Sequence, residues 1–199
     1  MIDRVISSYT PTLRALAHAR QPGAATGSGA IAGDRVVAVA MPRTPGASNL
    51  PGAVAEAAAL RRRFPGRVTV LSGPQATHDT VLAALPTGRW AHFACHGASD
   101  PSSPSASRLL LTDHEQRSLT AADVARLRLD DAGLAFLSAC STAQPGRRLP
   151  DEAIHLASAF QLAGYRHVIA TLWPIGDQRA VELAADIYSA LTPALAGAA

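Results

Sequence analysis

Two stretches of this chain each finish on a residue able to do nucleophilic chemistry. Ala91-His92-Phe93-Ala94-Cys95-His96-Gly97 closes on a histidine, and Leu134-Ala135-Phe136-Leu137-Ser138-Ala139-Cys140-Ser141-Thr142 closes on a cysteine. A thiol with its pKa near about 8.5 is mostly un-ionised at neutral pH. A neighbouring imidazole raises the thiolate fraction and can later protonate a leaving amine. His96 and Cys140 are therefore candidates for attack on a carbonyl. Gly97 allows close backbone approach, so its N–H could face a developing oxyanion, with the backbone N–H of Cys140 as a second donor.

That chemistry requires elements that bring the two stretches to one rim. Apolar runs predict strands at Val5–Tyr9, Arg35–Ala40, Val68–Leu71, Trp90–Cys95, Leu134–Cys140 and His167–Trp173, with a short strand or hairpin arm at Arg108–Thr112. Helices are expected from Pro11, through Ala53, Glu56, Ala59 and Leu60, and over Ala76–Leu85 behind a Thr77 cap. Others are expected over Leu119–Leu127 behind Thr120, over Asp151–Ala163 before Gly164, and over Asp177–Leu195 with an interruption at Pro193. Residues 21–34 read as a loop or linker. Strands alternating with helices imply right-handed crossovers and a mainly parallel sheet, hence a three-layer α/β domain. Ligands of such sheets bind where strands end at their carboxyl side. Strand parity separates the candidates: His96 shares a face with His92 and Ala94, while Phe93 and Cys95 face the other way, so Cys95 reads as a packed small hydrophobe.

Composition narrows the function classes. Apolar residues make up 48% of the 199, which excludes a disordered chain. No apolar run approaches the length of a membrane helix, and the Met1-Ile2-Asp3-Arg4 start does not resemble a signal peptide. All 18 basic residues are Arg and the net charge is +3, but the positive charge is scattered and few aromatics interleave it, so no nucleic-acid partner is expected. Two cysteines are too few for a disulfide framework and suit a reducing compartment. Cys95, His96, Cys140 and His155 lack the short-spaced pair of a metal site, so no metal or cofactor is expected. Gly27-Ser28-Gly29-Ala30-Ile31-Ala32-Gly33 precedes its strand rather than following one, which excludes a phosphate-binding turn. No Gly-x-Ser-x-Gly elbow is present.

The wording of the segments adds a resemblance. Ser8-Tyr9-Thr10-Pro11-Thr12-Leu13, Leu50-Pro51-Gly52-Ala53 with Glu56-Ala57, Gly73-Pro74-Gln75-Ala76-Thr77, and His92 to Gly97 come first. Leu137-Ser138-Ala139-Cys140-Ser141-Thr142, Asp151-Glu152-Ala153-Ile154, Ala163-Gly164 and Thr171-Leu172-Trp173-Pro174-Ile175-Gly176-Asp177 follow in order. In this register, from about Val5 to about Leu191, the chain resembles the CHAT family of caspase-like (clan CD) cysteine peptidases, relatives of separase and caspases.

The resemblance implies a single caspase-like domain over residues 1–199 with His96 as general base, Cys140 as nucleophile and Gly97 in the oxyanion hole. It further implies an acidic pocket for a basic side chain, here Asp177, with Asp100 as the competing acid; a buried carboxylate pairs well with Arg. Trp173 is either packing near the cleft mouth or a substrate contact, and Asp177 either caps its helix or binds substrate. Family domains continue past the helix matching Asp177–Leu191, so this chain is expected to be a fragment lacking the C-terminal part of the fold. The expected role is a cytoplasmic, bacterial Arg-preferring endopeptidase acting on protein or peptide substrates. It would serve as effector of a longer signalling or defence protein with helical-repeat or nucleotide-driven sensor modules upstream. The alternative is a non-catalytic interaction scaffold. Arg147-Arg148, after the cysteine, reads as solvated loop ahead of a self-cleavage site.

Overall fold

Val36-Val37-Ala38-Val39-Ala40 is apolar at every position because it is covered on both faces, as the inner strand of a parallel sheet must be. The computed structural model describes residues 12–20, 35–98, 100, 103–138, 150–171 and 175–196. Within them, β1 (Val36–Ala40), β2 (Val68–Ser72), β3 (Trp90–Ala94), β7 (Leu134–Leu137) and β8 (His167–Ala170) form one sheet in the order β2-β1-β3-β7-β8. All four pairings are parallel, with Val36 opposite Val68 and Trp90, Trp90 opposite Leu134, and Leu134 opposite His167. Between β3 and β7 the chain makes a small antiparallel sheet from β4 (Gly97–Ala98), β5 (Arg108–Leu109) and β6 (Leu119–Thr120).

The helices are α1 (Leu13–Arg20), α2 (Gly52–Arg63), α3 (His78–Ala84), α4 (Ala121–Ala125), α5 (Pro150–Ala163) and α6 (Asp177–Ala196). Strand parity sorts them into two layers. Val37, Val39, Ala91, Phe93, Ala135 and Leu137 pack against Val81 of α3, Val124 of α4 and Phe160 of α5. The alternate positions Val36, Ala38, Trp90, Leu134 and Phe136 pack against Leu60 of α2 and against Ala184 and Tyr188 of α6. Tyr188 sits in an aromatic cluster, 6.1 Å from Phe64 and 6.2 Å from Trp90 between ring centroids, a geometry that adds about 0.5–1.5 kcal/mol per pair beyond area burial. Helices thus cover both faces of a mainly parallel sheet, the three-layer α/β arrangement expected.

Several boundaries differ from the sequence reading. Leu119 and Thr120 pair with β5 as a strand, so the helix expected from Leu119 starts at Ala121. Thr120 still caps it: its hydroxyl accepts from the Asp123 amide while the Asp123 carboxylate accepts from the Thr120 amide. α6 continues through Pro193 to Ala196 instead of breaking there; the ring removes one amide donor close to the helix end, where a single missing bond is tolerated. β3 stops at Ala94, β5 at Leu109, β7 at Leu137 and β8 at Ala170, each shorter than the apolar run that suggested it. The expected strand at Val5–Tyr9, the segment 21–34 and the loop 141–149 lie outside the described residues.

The Thr120–Asp123 cap carries a pH expectation. Burial alone raises the Asp123 pKa, but its bonds to Thr120 and the nearby His78 ring outweigh this and leave it below the ordinary value. A depressed carboxylate adds stability above its unfolded pKa, about 3.9, which is lost as pH falls through the lower folded value. Asp123→Asn should therefore melt below the parent at neutral pH, with the gap closing as pH falls below the ordinary carboxylate range in thermal melts.

Candidate active site

β3 and β7 are adjacent and parallel, so their carboxyl ends share a rim. Ladder bonds reach the end of β3 from both sides: the Ser138 amide, just past β7, donates to the Phe93 carbonyl (2.9 Å) and the Met41 amide, just past β1, to the Ala94 carbonyl (2.9 Å). His96 follows directly, anchored on the other side by the Leu110 amide, which donates to its carbonyl at 2.8 Å. The loop from Met41 to Pro51, between β1 and α2, lies over the same rim.

That loop determines which nitrogen of His96 is basic. Nε2 lies 2.7 Å from the backbone carbonyl oxygen of Ser48. A carbonyl can only accept, so the neutral ring carries its proton on Nε2 and leaves a lone pair on Nδ1. His96 is 1% exposed, and its Nδ1 has no hydrogen-bond partner among the described residues. A buried, oriented nitrogen lone pair at the end of a sheet is what a general base needs. Partnering one nitrogen to orient the other is a recurrent means of achieving it.

Gly97, buried, opens β4 opposite Leu109. Asp177 is the first residue of α6, yet its carboxylate serves α2: Oδ2 accepts from the Gly52 amide at 2.7 Å, at the first residue of α2. This adds negative charge at a helix N-terminus, a favourable placement. Glycine is required opposite it, since a Cβ on Gly52 would sit 2.7–2.8 Å from the Asp177 carboxylate. Asp177 is half-buried and thus has an oxygen face left for another donor. Asp100 accepts from the Ser103 amide at 3.0 Å through Oδ1, and its own amide donates to Ser107. Cys140 and Trp173 lie outside the described residues.

Cys95 is 1% exposed and packs in the cluster with Phe93 and Leu137, on the sheet face opposite His92, as parity required. His92 is likewise buried, and its ring stacks on Phe136 with centroids 5.1 Å apart. Its polar partners are Tyr188, whose hydroxyl is 3.1 Å from Nδ1, and Glu56, whose Oε2 is 3.0 Å from Nε2 but off the ring N–H direction. Glu56 is 3% exposed and accepts a short hydrogen bond from the Ser138 hydroxyl. Burial, and then the Glu56 charge, push the Tyr188 pKa well above its ordinary value, so the phenol stays protonated.

Two participants escaped the sequence reading. Ser48 acts mainly through its backbone carbonyl, closer to Nε2 than its hydroxyl (2.7 against 3.4 Å), and a carbonyl leaves no signal in the sequence. Glu56 had a signal: it occupies the i+3 place of the buried stripe Ala53, Glu56, Ala57, Leu60, where an unpartnered acid would be costly. Among the described residues no group of three or more His, Cys, Asp or Glu could hold a metal ion, and no helix is long and apolar enough to cross a membrane.

A parallel α/β sheet layered between helices, with an oriented histidine at the carboxyl end of a central strand, defines a caspase-like domain. The CHAT domain family model matches residues 1–199, and the chain belongs to that family, a caspase-like (clan CD) peptidase-type family. No curated protein matches the chain.

Proposed function

We propose that this domain is a cysteine endopeptidase cleaving after a basic residue, in which His96 activates Cys140. The Cys140 thiol passes its proton to Nδ1 of His96, and the thiolate attacks the scissile carbonyl. The Gly97 and Cys140 amides hold the oxyanion, and the imidazolium returns the proton to the departing amine. Water then attacks the thioester, giving up a proton to the same Nδ1, and the acid product leaves with the thiol restored. The observation that carries this reading is the buried Nδ1 lone pair, aimed by the Ser48 carbonyl and left without a partner among the described residues. The chain leaves β7 at Ser138 on that rim, and two further residues reach at most about 7 Å.

Asp177 is the proposed acceptor of the substrate's basic side chain, with Asp100 in reserve and Trp173 at the cleft mouth. The substrate is a protein or peptide, and no cofactor or nucleic acid takes part. The domain serves in the cytoplasm as the effector of a longer bacterial signalling or defence protein, whose upstream helical-repeat or nucleotide-driven modules sense the signal.

An electrophile carrying an Arg side chain should label Cys140 and leave Cys95 untouched, read by peptide mass spectrometry. Asp177→Asn keeps an oxygen for the Gly52 amide but removes the charge. It should cut kcat/KM on an Arg peptide by about 10- to 100-fold, as expected for one charge-assisted bond of about 1.5–3 kcal/mol. If Cys140 stays unlabelled, the domain is a scaffold and the peptidase reading fails.

A further inference from the structure

Glu56 stands out as a buried carboxylate on a helix face otherwise lined by Ala53, Ala57 and Leu60. An apolar side chain would fill that place without the several kcal/mol that desolvating an ion costs. Its neighbours are not a random set. The Ser138 hydroxyl donates to it from the end of β7, His92 approaches it from β3, and Tyr188 of α6 contacts it through the other nitrogen of His92. With the phenol protonated, Tyr188 donates to Nδ1 of His92, which puts the ring proton on Nε2, on the side of Glu56 but not directed at it.

Each of these elements feeds the rim. In sequence, His96 lies two residues after the end of β3 and Cys140 three residues after the end of β7, and α6 starts at Asp177. α2, which carries Glu56, begins four residues after Ser48, whose carbonyl aims the His96 ring. Ser138, two residues before the cysteine, is held twice, its amide by the Phe93 carbonyl and its hydroxyl by Glu56. The backbone bond sets the strand register. The side-chain bond ties the strand end to the helix that positions the base.

We infer that Glu56 is a positioning residue: through the Ser138 hydroxyl it locks the exit of β7 against α2, so that the thiol of Cys140 is presented to Nδ1 of His96. The inference rests on the peptidase reading above. Loss of the lock would leave binding of the substrate intact and misplace the thiol, so the defect belongs in kcat and in the thiol's ionisation rather than in KM.

The test is the pH profile of Cys140 alkylation by iodoacetamide in the full chain, resolved from Cys95 by peptide mass spectrometry, beside kcat and KM on an Arg peptide. Ser138→Ala should lower alkylation at neutral pH about 10-fold and move the profile toward higher pH. It should lower kcat to a similar extent and leave KM within two-fold. Glu56→Ala should do the same, while Glu56→Gln, which keeps an acceptor for the Ser138 hydroxyl, should recover a third or more of the parent rate. If Ser138→Ala does not fold, Glu56→Asp, whose acceptor is drawn back by one methylene, takes its place with the same expected shift. A folded variant whose alkylation profile overlays that of the parent overturns the inference. A parent whose Cys140 profile matches that of His96→Ala sinks the peptidase reading instead.

Discussion

His96→Ala should lower turnover of an Arg-containing peptide by about 10²- to 10⁴-fold, the usual contribution of a positioned acid–base group. The ring is held at Nε2 by the Ser48 carbonyl at 2.7 Å, with the Ser48 hydroxyl farther off at 3.4 Å, and Nδ1 has no partner among the described residues. The substitution leaves the fold almost undisturbed in its polar bonding, because Ser48 is exposed and its carbonyl can turn to water. KM should therefore change little, and the variant should melt within a few degrees of the parent. The deficit should shrink as pH rises past about 8.5, where a thiol ionises without help. Stopped assays across pH 6–9, paired with circular dichroism melts, measure both effects. Unchanged turnover in His96→Ala would mean that any hydrolysis arises elsewhere.

The largest stability loss is expected at Gly164, far from this chemistry. It closes α5 with φ +124°, a conformation L side chains rarely adopt. A Cβ there would run into the carbonyl oxygen of Leu129 and come within 3.0 Å of its carbonyl carbon. Both neighbours are backbone, and the Leu129 amide is itself bonded to the Ala163 carbonyl at 2.8 Å, so the obstacle cannot swing aside. Backbone strain of about 1–3 kcal/mol adds to overpacking of about 1–3 kcal/mol. Gly164→Ala should thus lose about 3 kcal/mol or more, a fall in Tm of roughly 6–12 °C for a chain of this size. At 20 °C, where enough of the chain stays folded, labelling of Cys140 should persist, separating stability from activity. A variant melting with the parent would show that the α5–β8 turn has another conformation available.

Much of the architecture was legible in local pattern. The all-apolar runs of β1 and β3 announced covered strands, and alternation within Trp90–Cys95 correctly sent Cys95 and Phe93 to the face opposite His92. Thr77 and Thr120 marked helix starts because a hydroxyl before an apolar-periodic segment satisfies an otherwise unpaired amide, and both do so. Strand ends were less legible. Trp90–Cys95 remains apolar beyond the last paired residue, since Cys95 still packs in the core where ladder pairing stops at Ala94. Pro193 does not end α6, because a break in propensity near a helix end costs one hydrogen bond, too little to stop a helix that is packed against α2 over its earlier turns.

The amino-acid order alone determined the layered α/β class, the two stretches that finish on His96 and Cys140, and the family to which they belong. Those features rest on periodicity, capping and short motifs, which are properties of neighbouring residues. The tertiary structure alone decided which imidazole nitrogen is basic, what Asp177 holds, and why an acid lies inside the stripe of α2. Those contacts join residues 48, 125 and 82 positions apart, for His96 with Ser48, Asp177 with Gly52, and Ser138 with Glu56. Periodicity carries no record of such distances; parallel pairing and helix packing bring these groups together only once the whole sheet has formed.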